Sequence, residues 1–98
     1  MVMSGSATDK EEKPLDWSFQ NHANELLRRG NHPRSNFRRS ILDNVDMTEG
    51  NFVGSDFRRA SMVEADLMKS AFDNCDFRGT DLRKARLNIS NFKNCLFE

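Results

Sequence analysis

An all-β solenoid that closes a four-sided coil every twenty residues is the fold class this 98-residue sequence predicts. Three observations predict it. A Phe, Leu or Met stands at every fifth position from Phe37 to Phe97, through Leu42, Met47, Phe52, Phe57, Met62, Leu67, Phe72, Phe77, Leu82, Leu87 and Phe92. Two residues before each of these thirteen centres stands Gly, Ala, Ser or Cys, with only Val45 and Thr80 outside that set. Like residues also recur at a spacing of twenty: Phe37, Phe57, Phe77 and Phe97 form one series and Phe52, Phe72 and Phe92 another, while Leu42/Met62/Leu82 and Met47/Leu67/Leu87 are all Leu or Met.

Each feature has a geometric reading. In extended backbone, residues i and i−2 point to the same side, so the small residue and the large centre both face inward. The three others face out and are mostly polar. Five is odd, so an unbroken strand would turn the next centre outward; the chain must bend once per repeat. A straight α-helix fails, because a step of five advances ~500° and smears the centres around its axis. Four repeats to a coil set like on like in four columns, whereas three would mix Phe with Leu and Met. Thirteen repeats give three and a quarter coils, rising ~16 Å at the spacing of parallel strands.

The stretch before the repeats reads differently. Residues 1–14 are small, polar and charged, and read as a disordered segment. Residues 15–34 read as a helix and linker. Asp16 suits an N-cap, and Phe19, Ala23, Leu26 and Leu27 make one apolar stripe at i, i+4, i+7 and i+8. Arg28 and Arg29 favour a helix C-terminus, Gly30 a C′ position, and Pro33 blocks continuation. A solenoid needs its ends covered, so this helix is expected to cap the first coil. Docking on a partner is the alternative. The opposite end carries no cover, and Leu82, Leu87, Phe92, Leu96 and Phe97 form an apolar edge suited to a tail-to-tail homodimer.

The residue before the centre is Asp or Asn in eight of thirteen repeats, with Ile41, Ser61, Ala71, Arg86 and Leu96 as the departures. The resulting pattern, as in SDFRR, ADLMK, CDFRG and TDLRK, resembles the pentapeptide-repeat family over about two-thirds of the chain. The resemblance implies a right-handed quadrilateral parallel β-helix over residues 35–98, here of about three coils behind an N-terminal capping α-helix. Family dimers join at their C-terminal ends, which agrees with the apolar edge.

Little in the sequence points to catalysis. His22 and His32 lack a Cys or carboxylate at ligand spacing, and no phosphate loop or nucleophile–base arrangement is present. We expect a non-enzyme with no catalytic residue, no metal and no cofactor. Cys75 and Cys95, one coil apart, read as reduced interior thiols. Fifteen basic residues balance fifteen acidic ones, no apolar run approaches a membrane span, and the first residues lack the apolar middle of a signal peptide. These features suggest a cytoplasmic protein. One outward strip is basic: Arg38, Arg58 and Arg78 in a column, Arg39 and Arg59 beside it, and Arg83 and Lys84 around the corner. The expected role is a small protein–protein interaction module and homodimer, with a partner whose identity the sequence withholds. The resemblance raises an alternative, inhibition or protection of a DNA topoisomerase such as gyrase by duplex mimicry. That needs a long acidic rod, and residues 35–98 hold ten basic and ten acidic side chains. Direct nucleic-acid binding is weaker still, since no aromatic platform accompanies the arginines.

Overall fold

The computed structural model describes residues 11–98. Every pairing in it is parallel and links residues twenty apart. Four ladders run side by side: Asp16–Asn36–Asp56–Asp76–Leu96, Asn21–Ile41–Ser61–Asp81, Leu26–Asp46–Asp66–Arg86 and Asn31–Asn51–Ala71–Asn91. The chain is therefore a four-sided coil with one wall per ladder. Only β1 (Asp76–Phe77) and β2 (Leu96–Phe97) extend over two residues. Elsewhere each wall is a single bridge, because the chain turns again within five residues.

The turns have one cause. Every residue two places after a centre, from Phe19 to Asn94, has positive φ: fourteen non-glycine residues and two glycines, Gly54 and Gly79. At the corner after Phe37, the Ser40 N–H donates to the Phe37 carbonyl at 3.0 Å. Positive φ at the third turn residue is the type II pattern. A left-handed residue costs about 1–2 kcal/mol unless it is Gly, Asn or Asp. That cost is offset here, because the corner residue keeps its own N–H in the ladder: Arg39 donates to the Arg58 carbonyl at 2.9 Å, and Arg59 to that of Arg78 at 3.0 Å. The Asp or Asn before the centre serves the same corner. Its Oδ1 accepts the N–H two residues on, as Asn36 does from Arg38 (3.0 Å), Asp46 from Thr48 (3.0 Å) and Asp66 from Met68 (3.2 Å). Where Ser61 breaks the pattern, Asp43 of the coil below accepts the Val63 N–H at 2.9 Å and the Ser61 hydroxyl at 2.6 Å.

The corners turn every centre inward. Phe37, Phe57 and Phe77 stack at 4.8 Å between centroids, and Phe97 follows at 5.3 Å. Phe52, Phe72 and Phe92 stack on an adjacent wall at 5.5 and 5.3 Å, and edge-on contacts join the two columns. Leu42, Met47, Met62 and Leu67 fill the other two columns and are fully buried. Each large buried side chain is worth roughly 1.5–3 kcal/mol, and each ring pair adds about 0.5–1.5 kcal/mol. The small inward residues leave room for the rings: a Cβ on Gly50 would lie 2.5 Å from Phe52 Cε2. Several of them also donate to the coil below, Thr80 to the Phe57 carbonyl (2.6 Å) and Ser90 to that of Leu67. Cys75 and Cys95 are free thiols that do the same toward Phe52 (3.0 Å) and Phe72 (2.8 Å). Burial pushes the Cys75 thiol up to about 12.

The N-terminal segment departs from the expectation. The described residues contain no helix, and residues 15–34 form a further coil in register with the rest. The inward series continues backward through His32, Leu27, His22 and Trp17, so the described residues hold seventeen centres, or four and a quarter coils at four to a coil. Phe19 and Leu26 of the supposed stripe are exposed. The coil prevails because the first rung of the repeats is an open β-edge, and pairing with it satisfies backbone groups that a lone helix of about 14 residues would leave bare. Trp17 and His22 lie face to face at 3.7 Å, with Trp17 edge-on to Phe37. Gln20 and Glu25 hold the His22 ring nitrogens at 2.7 and 3.2 Å. Together these side chains form an amphipathic plate on the first described coil. Residues 1–10 of the supposed disordered segment lie outside the described residues, and the Lys13 N–H already joins the coil at the Asn31 carbonyl (2.8 Å).

Among the positive-φ residues Ile89 is the one β-branched side chain, and it is exposed. Ile89→Asn is expected to raise the unfolding free energy by about 1 kcal/mol, measured by urea denaturation. Ile89→Val, still β-branched, should give no gain.

Candidate functional site

Inside the coil every position is committed to packing, so chemistry is left to the outward residues and the ends. On the wall of the Phe37 column, the two residues after each centre are Ser18–Phe19, Arg38–Arg39, Arg58–Arg59 and Arg78–Gly79 in successive coils. Arg38, Arg39, Arg58, Arg59, Arg78, Gly79 and Glu98 line an open groove of about 430 Å³. Of the residues expected in the strip, the first five arginines come together here. Arg83 and Lys84 do not: they follow Leu82 on the next wall, where Arg83 bonds Asp81 at 2.8 Å.

The five arginines are not equivalent. Arg58 and Arg78 each fold back on the aspartate of their own repeat, Arg58 Nη2 to Asp56 at 2.7 Å and Arg78 Nη2 to Asp76 at 2.6 Å, and Asp76 also lies 3.8 Å from Arg58. The hydrogen bond from Arg78 holds Asp76 below the usual carboxylate range. Burial works the other way at Asp56, but the Arg58 hydrogen bonds and charge prevail and its carboxyl is also lowered. In the repeat below, Asn36 stands in place of the aspartate. It serves the turn equally well but brings no charge. Among the described residues no carboxylate pairs with Arg38, Arg39 or Arg59; Arg39 lies over the Phe19 ring at 5.9 Å.

Gly79 and Glu98 are groove residues that reading the sequence missed. Gly79 matters through what it lacks: the column Arg39–Arg59–Gly79 ends without a side chain, and a Cβ there would sit 3.1 Å from Arg59 Cγ. Glu98 is brought in by the ladder, its carbonyl accepting the Gly79 N–H at 3.4 Å. The shared spacing of twenty between positions 58, 78 and 98 was the available signal.

The expected dimer edge is open. Leu96 and Phe97 are half exposed and Leu87 is exposed, while Leu82 and Phe92 are partly buried against the core. His22 and His32 face inward in the first coil, His32 lying 6.0 Å from the Phe52 ring and bonding the Lys13 carbonyl at 2.7 Å.

The family model for pentapeptide repeats matches residues 26–59 and 60–98, in eight copies. A solved pentapeptide repeat protein from the Arabidopsis thaliana thylakoid lumen superposes with a TM-score of 0.64 at 22% identity, over 94% of this chain and 58% of that one. This likeness shows a shared fold, and the chain spans a little over half the length of that relative. The pentapeptide repeat protein Rfr23 from the cyanobacterium Cyanothece 51142 gives a TM-score of 0.39 at 18% identity, over 91% of this chain and 68% of its own. No curated protein matches the chain.

The lowered carboxylates set an acid limit on stability. A depressed folded value means that the contribution of Asp56 and Asp76 is fully present above the unfolded value of about 3.9 and is lost as pH falls through the folded values. Unfolding free energy should stay level above about pH 5 and decline below it. Asp76→Asn keeps an Oδ1 for the turn but removes the charge, so its acid limb should be shallower in urea titrations taken between neutral and strongly acid pH.

Proposed function

Because the chain belongs to the pentapeptide-repeat family, we propose that it is a non-enzymatic protein-interaction module that pairs with a second copy of itself through its C-terminal coil. The outward arginine strip is the face it offers to an acidic partner. The inequality of the two ends carries this reading. At one end the inward positions hold Trp17, His22, Gln20 and Glu25, tied to each other by stacking and hydrogen bonds. At the other they hold Leu82, Leu87, Phe92 and Phe97, with the ring of Phe97 half exposed. An exposed apolar rung with unpaired backbone groups is an association site. A two-fold axis through that rung would set like columns against like and close the assembly at two copies.

Support for a binding role rather than catalysis lies in the outward side chains, which are mostly turn formers and ion pairs. The strip itself is cationic, which counts against mimicry of duplex DNA and therefore against the topoisomerase alternative.

Light scattering on the 98-residue chain is expected to give twice the chain mass, and Phe97→Glu the single mass with an unchanged circular dichroism spectrum. A wild-type monomer at about 100-fold the dissociation constant of a micromolar dimer would remove the dimer from this reading.

A further inference from the structure

The arginine groove holds more positive charge than its own acids neutralise. Five guanidiniums line it, against the side-chain carboxylates of Asp56 and Asp76 beside it and Glu98 within it, leaving a surplus of two among the side chains. The surplus is not spread evenly. Arg58 and Arg78 are committed to aspartates at hydrogen-bond distance, while Arg38, Arg39 and Arg59 have no paired carboxylate among the described residues. These three come from two successive rungs, about 4.8 Å apart along the coil. Gly79 keeps one end of the groove free of a side chain.

We propose that this groove binds a phosphomonoester dianion, held by the guanidiniums of Arg38, Arg39 and Arg59. The proposal rests on reading the strip as an interaction face and is independent of dimerisation. A phosphomonoester carries about −1.5 to −2 charges and three strong acceptor oxygens, which matches the surplus and the number of guanidiniums without a carboxylate partner. Arginine forks suit this planar, bidentate recognition. A single carboxylate would neutralise only half of the surplus. No aromatic or aliphatic side chain is among the lining residues, and the exposed Phe19 ring lies outside them beneath Arg39, so recognition centres on the phosphate and the group that bears it stays in solvent.

The test is a titration followed on the arginine Nε–Hε signals by NMR, using phenyl phosphate, a phosphoserine peptide, the same peptide with glutamate in place of phosphoserine, and a DNA duplex. Both phosphomonoesters are expected to move the Arg38, Arg39 and Arg59 signals. Arg38→Gln combined with Arg59→Gln should weaken binding roughly tenfold or more; both side chains are exposed, so its thermal melt should stay that of the wild type. The Phe97→Glu variant should bind as the wild type does, which separates this outcome from a failure of the dimer. A peptide held more tightly than phenyl phosphate assigns the ligand to a phosphorylated protein segment, and equal binding assigns it to a soluble phosphomonoester; both support the proposal. Equal binding of the glutamate peptide, tighter binding of the duplex than of the phosphoserine peptide, or unmoved arginine signals would each overturn it.

Discussion

The left-handed corner residue is the constraint from which the rest of this structure follows. One residue in five takes positive φ, from Phe19 to Asn94 without exception. Without that bend the odd period would throw alternate centres into solvent. With it, each centre lands in the same column as the residue twenty before it, and Phe37, Phe57 and Phe77 stack at 4.8 Å. The corner is strained for most side chains and persists because up to Gly79 it is held by its neighbours: its N–H enters the ladder to the next coil, and the carbonyl of the centre accepts across many of the turns, as Phe57 does from Ala60. No single corner is stable alone. The corners from Phe19 to Gly79 are each fixed by the coil above, which explains why the element is the stack rather than the strand.

A stacked column also makes the ends the weak points. Each interior rung is covered on both sides, whereas a terminal rung has one bare face. The two ends differ in how they meet this. Residues 15–34 keep the geometry of the coil but replace part of the apolar set with Trp17, His22, His32, Gln20 and Glu25; the His22 ring bonds Gln20 and Glu25, and His32 bonds the Lys13 carbonyl. The result resembles the polar-faced terminal repeats that solenoids need for solubility. The C-terminal rung keeps the apolar set instead.

This difference governs what the sequence revealed. From Phe37 onward the inward places use so few residue types that the coil and its four columns are legible directly, and the stacked rings sit where the spacing puts them. In the first coil the inward places change chemical class, so the five-residue beat vanishes from view, and Phe19, Ala23, Leu26 and Leu27 imitate a helical stripe. The signals read as helix punctuation are real local preferences put to another use. Asp16 accepts the Ser18 N–H at 3.2 Å, the bond an N-cap would make to the second residue of a helix. Gly30 is small because a Cβ would meet the His32 ring at 2.5 Å. Pro33 sits just before a positive-φ residue, Arg34, where its fixed φ suits a turn. Local chemistry was compatible with both forms, and the open edge above decided between them. The groove was half legible for a related reason: the arginine columns follow from the period, but which arginines are committed depends on side-chain pairing.

That pairing rests on one exchange that the fold does not register. Asn36, Asp56 and Asp76 occupy the same place in successive coils, and all three accept the N–H of the arginine two residues on, at 3.0, 3.0 and 3.1 Å. The turn needs only the Oδ1 acceptor, which both residue types supply. The charge differs, however: aspartate neutralises its arginine and asparagine leaves it available. A wall of this coil can thus change its electrostatic surface through Asn–Asp exchanges that cost the backbone almost nothing, while the columns inside remain bound to Phe, Leu and Met. The separation is physical, since the inner positions answer to packing and the outer ones to hydrogen-bond geometry that is blind to charge. Specificity in such a molecule belongs to the outer positions, and Arg38 lacks a carboxylate partner among the described residues because an asparagine stands where the next two coils carry an aspartate.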